Sequence, residues 1–248
     1  MFTARDGWIA LGFTAATIAA LPVDKMVAHN LQLPQNQNEP GLIHAAALFR
    51  NIADPGTVYL SAGLYASGLM LGNATLSDIG AHASESLIVA SAAGFVFKGL
   101  VGRPLPSQTN ADADSYQFGR GIRVDGKWQA FPSGHTLAAF SVASALSAEV
   151  RDRWPSHGRL FTVLAYSVAS AAGVSRLYNN AHWVSDIIFG AGIGIVAGNK
   201  TVAYEHSHPA SWVNRVLLHA TVAPGPHRAL VVGFRFSPPC HGGDRLTP

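Results

Sequence analysis

The 248-residue chain has little charge: Asp, Glu, Lys and Arg make up 12% of it, against roughly 25% in ordinary soluble domains. Seventeen Lys and Arg stand against fourteen Asp and Glu, a net charge of +3 with no long basic run, which argues against a nucleic-acid partner. The single cysteine, Cys240, excludes an intrachain disulfide framework, a zinc ribbon and a cysteine-held iron–sulfur cluster. Twenty-five glycines and fourteen prolines fall short of a collagen-like or low-complexity composition, and no internal repeat is visible. What the chain does have is apolar surface, with 48% hydrophobic residues and a mean hydropathy of +0.20.

The apolar residues gather in six segments, 7–23, 57–73, 86–102, 134–150, 159–175 and 183–198, each bounded by Gly, Pro, Asn or charged residues. The expected fold is all-α, a six-helix bundle that crosses a membrane several times. The segments lie at the short end of the about 17–25 residues that a bilayer requires. They are rich in Ala, Ser and Gly, which let helices approach closely in lipid. A soluble all-helical domain, periplasmic or secreted, is the alternative. The first segment follows only a weak positive flank and shows no clear small-x-small cleavage site, which favours a retained helix over a signal peptide. Residues 24–56 read as a polar loop followed by a short amphipathic helix, and 104–130 as a second long polar loop. Residues 1–200 are thus expected to form one helical domain. Residues 201–236, with β-branched and aromatic runs around Ala223-Pro224-Gly225-Pro226, are expected to form a β-hairpin, and 237–248 a disordered tail.

Three polar blocks interrupt this apolar chain. Lys98 to Pro104 closes the segment 86–102, Phe131-Pro132-Ser133-Gly134-His135-Thr136 opens 134–150, and Ser175-Arg176 closes 159–175, followed by His182 and Asp186 at the start of the last segment. In an up-and-down array all of these helix ends lie on one side, so the blocks can converge. Lys98, Arg103 and Arg176 supply positive charge and forked donors suited to an oxyanion. Ser133 and Gly134 open a helix whose first N–H groups lack internal partners, which adds backbone donors and a hydroxyl. Asp186 lies four residues after His182, on the same helical face, where a carboxylate can hold one imidazole nitrogen protonated and leave the other nucleophilic. His135 is then available as general acid on the leaving group. The set suits phosphoryl transfer through a phosphohistidine, with no divalent metal required and no carboxylate cluster seen to bind one.

Lys98, the Pro132-Ser133-Gly134-His135 block and the Ser175-Arg176…His182…Asp186 block resemble the three signatures of the type 2 phosphatidic acid phosphatase and vanadium haloperoxidase superfamily, over about residues 57–198. The resemblance implies His182 as nucleophile, Asp186 as its orienting partner and His135 as general acid. It makes Lys98, Ser133, Gly134 and Arg176 the phosphate ligands. It also implies six spans with the site on the extracytoplasmic side, a lipid phosphate or other phosphate ester as substrate, membrane lipid as partner, no cofactor, and inhibition by vanadate. One departure stands out: the family pattern of Lys, six residues, Arg-Pro falls here on Leu105-Pro106. Arg103-Pro104 lies two residues earlier and can substitute only by a shift of the loop. The expected activity is that of an acid-phosphatase-like phosphoric ester hydrolase, weakened by Leu105. A catalytically impaired member that binds lipid phosphate, and a haloperoxidase with vanadate as cofactor, remain alternatives.

Charge does not set the orientation. Excluding the presumed ligands, the site side carries Lys25, Arg50, Arg120, Arg123 and Lys127, and the other side Arg5, Arg151, Arg153, Arg159, Lys200 and Arg215. The tract Glu205-His206-Ser207-His208 reads as a solvated turn after the last helix rather than a metal site.

Overall fold

The computed structural model describes residues 3–108, 112–123, 126–209, 211, 220–224 and 230–234. Long helices account for the six apolar segments: α1 (Ala4–Ala20), α5 (Gly56–Leu71), α6 (Ala74–Val101), α7 (Gly134–Arg153), α8 (Pro155–Tyr178) and α9 (Val184–Ser207). The six-helix expectation needs extending, because the polar stretch 24–56 adds α2 (Asp24–Leu31), the one-turn α3 (Pro34–Gln37) and α4 (Pro40–Ala53). A Pro at the first turn of both α3 and α4 is compatible with helix initiation, since the missing N–H has no intrahelical partner there. The expected tail lies outside the described residues, as does part of the expected hairpin region 201–236, whose first residues, up to Ser207, instead continue the last helix. Within that region β1 (Ala220–Pro224) and β2 (Leu230–Phe234) pair antiparallel, Ala220 opposite Phe234.

Among the described residues, four helical stretches are long and apolar enough to cross a membrane: Ala4–Leu31, Ala74–Val101, Pro155–Tyr178 and Val184–Ser207. Large apolar side chains such as Trp8, Met70, Ile88, Phe95 and Leu160 point outward, as lipid-facing surface requires. α7 is the central helix, packed against α6, α8 and α9. Its buried face is made of Ala, Ser, Leu137, Phe140 and Val142, so it is less apolar than its neighbours while being the most enclosed.

α7 and α9 meet along a glycine stripe. A methyl group at Gly190 would come within 2.8 Å of Ser133 O, at Gly194 within 2.6 Å of Leu137 O, and at Gly198 within 2.4 Å of Ser141 O. The i, i+4 spacing puts all three on one face, and the absence of side chains lets the two backbones touch. This contact fixes the start of α7 against the start of α9, where the polar blocks lie.

Candidate active site

Each site residue sits at a helix end. Lys98 lies in the last turn of α6, half-buried, with Nζ donating to Gln129 O at 2.5 Å. Its side chain also reaches Gly134, since a methyl group there would stand 3.7 Å from Lys98 Cε. Ser133 is the N-cap of α7; its Oγ accepts from Thr136 N at 3.5 Å and Thr136 Oγ1 at 2.9 Å, which leaves its own hydroxyl hydrogen to donate. His135, one residue into α7, keeps 26% of its side chain exposed, with Asp54 Oδ2 4.0 Å from Nε2. His135 is in electrostatic reach of Arg176, His182 and Lys98, so the three blocks converge on one end of the bundle.

Arg176 closes α8. Its Nε and Nη1 are buried and have no hydrogen-bond partner. A guanidinium with two buried unpaired donors is costly unless an anion completes it.

His182 occupies the short connection between α8 and α9 and is 7% exposed. Its Nδ1 lies 2.7 Å from Ala130 O, a carbonyl that can only accept, so Nδ1 carries the proton and Nε2 the lone pair. Here the structure departs from the spacing argument. Asp186 Oδ2 stands 3.7 Å from Nδ1, and its strong contact is with Trp183 N at 2.8 Å, so the backbone carbonyl fixes the tautomer while Asp186 acts at longer range. Burial lowers the His182 pKa below its ordinary value, against the opposing pull of Asp186.

Arg103 also differs from expectation. It is 0% exposed. Nε donates to Ala113 O at 2.9 Å, Nη1 to Ser185 Oγ at 2.7 Å and Asp186 Oδ1 at 2.5 Å, and Nη2 to Asp24 Oδ2 at 2.7 Å. Burial opposes its charge, yet Asp186 and Asp24 hold its pKa above the ordinary arginine value. The guanidinium is committed to the support of Asp186 rather than offered as a substitute phosphate donor. Asp24 closes the network by accepting from Ser185 N at 3.0 Å and Ser185 Oγ at 2.6 Å. No motif announces Asp24; the one available signal is a lone acid opening a helix in an acid-poor chain. Leu105 packs on the cluster of Ala113, Ala130 and Trp183, and Trp183 Nε1 donates to Pro104 O at 2.9 Å. The register of the family's second basic residue is therefore filled by an alkyl side chain.

Lys98 and Arg176 near the N-terminus of α7, together with a histidine whose tautomer is fixed, form the kind of arrangement that suits an oxyanion and a nucleophile. Residues 80–208 match the model of the PAP2 superfamily, and the chain belongs to that superfamily. It is a membrane protein. It is similar to a lipid A 1-phosphatase of Porphyromonas gingivalis, 43% identical over 88 residues, which are 35% of this chain and 19% of that protein. The chain thus matches about a fifth of the length of that curated relative. Two solved structures share the fold. The transmembrane PAP2-type phosphatidylglycerolphosphate phosphatase of Bacillus subtilis superposes with a TM-score of 0.60 at 17% identity, over 83% of this chain and 98% of that one. Aquifex aeolicus LpxE superposes with a TM-score of 0.50 at 18% identity, over 71% and 94%.

Proposed function

We propose that this chain is a multi-pass membrane phosphatase that hydrolyses a lipid-linked phosphate ester or diphosphate through a phosphohistidine at His182, on the extracytoplasmic side and with no metal in the chemistry. The observation that carries this reading is Arg176, whose two buried unpaired donors stand beside Lys98, His135 and His182. In this reading Lys98, Arg176, Ser133 and the first N–H groups of α7 hold the phosphoryl oxygens and stabilise the charge spread over them in the transition state. His182 Nε2 attacks phosphorus in line while His135 protonates the departing oxygen; His135 then takes a proton from the water that cleaves the phosphohistidine.

A lipid-linked substrate is supported by a groove of about 360 Å³ between α1, α6 and α9, lined by residues such as Phe13, Val89, Ala93, Gly192 and Ile193. Phe97 and Phe189 line it, their rings edge-to-face at 5.1 Å, and Phe189 meets the tilted ring of Phe131, two residues before Ser133, at 4.7 Å. An acyl chain lying there would bring its phosphate to Lys98 and Ser133. Leu105 favours a second reading, a member that binds lipid phosphate with little turnover, since one donor typically contributes about 10² to 10³ in rate.

Phosphate release by detergent-purified protein from a panel of lipid and soluble phosphates, in EDTA, separates the two. Turnover that survives EDTA and disappears with His182→Ala or with vanadate supports the phosphatase. Retained vanadate binding without release from any substrate would leave the binding reading.

A further inference from the structure

The end of the bundle remote from His182 carries a second polar centre that the proposed chemistry does not use. His82 lies two turns into α6, Glu149 in the last turns of α7 and His206 at the end of α9. At 1.5 Å per residue these positions are roughly 20–30 Å along their helices from Lys98, His135 and Asp186. His82 is 4% exposed and Glu149 0%, while a third of the His206 side chain reaches solvent. One ligand atom from each lies within 4.8 Å of the others.

Two observations point to a cation. The first is the arrangement around His206. Its Nδ1 is 3.2 Å from Asp152 Oδ2 and its Nε2 is hydrogen-bonded to Glu149 Oε1 at 3.1 Å; with the proton on Nδ1, supported by Asp152, Nε2 can ligate a cation. His82 Nδ1 faces the same oxygen at 2.5 Å, and the second oxygen of Glu149 is paired with Arg153. Both imidazoles thus converge on one buried carboxylate oxygen, where each can donate an N–H or, with that nitrogen deprotonated, ligate a cation, and a carboxylate behind a ligating imidazole is the usual support of a metal-bound histidine. The second is the surplus of buried acid. Glu205, 1% exposed, lies in hydrogen-bond contact with Glu85, where the two carboxyls can share a proton, and accepts from Ser211 Oγ at 2.6 Å. Acidic side chains adjoining the triad favour a cation there over an anion.

We propose that His82, Glu149 and His206 bind a divalent transition-metal ion of the zinc class, which ties together the ends of α6, α7 and α9. Two imidazole nitrogens and one carboxylate oxygen suit such an ion, and the exposed edge of His206 provides its entry path. Tetrahedral bonds of about 2.0–2.1 Å set the donors roughly 3.3 Å apart. The His206–Glu149 pair is already close to that spacing, and small side-chain rotations widen the His82–Glu149 pair. The tract Glu205-His206-Ser207-His208 is therefore not a uniform solvated turn: its first half belongs to this centre, while His208 stacks on Tyr204.

The test is a cobalt titration of the full chain in detergent after stripping with EDTA, followed by zinc competition and metal analysis. One cobalt per chain is expected, with the intense visible bands of tetrahedral coordination, displaced by zinc, and with a rise in thermal midpoint. His206→Gln should abolish the bands, Asp152→Asn should weaken affinity about 10- to 100-fold, and His208→Gln and His182→Ala should leave both unchanged. Both informative substitutions fall at partly exposed positions, so a folding defect at buried His82 does not obscure the outcome. Absence of tetrahedral cobalt, bands that persist in His206→Gln, or bands lost in His182→Ala would overturn the proposal.

Discussion

At the scale of single residues, the site depends on which donors are left unspent. Arg103 and Arg176 are both arginines at helix ends, yet Arg103 has given its hydrogens to Asp24, Ser185, Asp186 and Ala113, whereas Arg176 keeps two nitrogens unpaired. Arg176→Ala should therefore lower kcat/KM for phosphate ester hydrolysis by roughly 10²–10³ with the fold intact, as for loss of one oxyanion donor; a loss below tenfold would count against Arg176 as a phosphate ligand. His182 titrates below the ordinary histidine value because burial penalises its charged form. A nucleophile must be neutral, so its rate is retained above its folded pKa and falls as pH drops through it. The acid limb of kcat/KM for a phosphate diester, which has no titration of its own near neutrality, should lie below about pH 6.5. An acid limb above pH 7 would contradict a buried neutral His182. The residues of the three blocks are legible in the sequence because helix ends and spacing reveal them. Asp24 is not, since its partner Arg103 lies 79 residues away and only the folded chain joins them.

At the scale of elements, the six apolar segments correspond to six long helices, but their limits do not follow hydropathy. α6 begins at Ala74 rather than near residue 86 because Ser77, Asp78, His82 and Glu85 break the apolar pattern without breaking the helix, and those polar residues serve the remote end of the bundle. α9 likewise runs to Ser207, past the last apolar run, to deliver His206. The glycine stripe of α9 lends itself to a graded test. Gly190→Ala and Gly198→Ala should both lower the thermal midpoint, since each methyl meets α7 and overpacking costs about 1–3 kcal/mol. Gly190→Ala should also reduce kcat/KM, because it displaces Ser133, whereas Gly198→Ala should leave it within a few-fold. Equal effects on activity would detach the stripe from the site. Filling the groove with Ala93→Trp should raise KM for a long-chain lipid phosphate and leave kcat/KM for a short soluble phosphate unchanged; equal loss on both would place the acyl chain elsewhere.

At the scale of the whole molecule, a bundle too apolar for an ordinary soluble domain holds two polar centres at its opposite ends. Membership of the PAP2 superfamily is legible in the sequence from the motifs at one end. The other centre is hidden from motif reading, because His82, Glu149 and His206 come from three helices and only the packing of α6, α7 and α9 assembles them. The groove between α1, α6 and α9 is hidden for the same reason, since each helix contributes only small or scattered apolar residues to it. The claim on which the proposed function turns is covalent transfer to His182. The measurement that reaches it most directly is rapid quenching of turnover on a phosphate ester under alkaline conditions, followed by mapping of the modified peptide. An acid-labile, base-stable phosphoryl group on His182, formed at a rate no slower than kcat and absent from His182→Ala, is predicted. Full turnover by His182→Ala, or steady release of phosphate with no phosphorylated histidine, would contradict it.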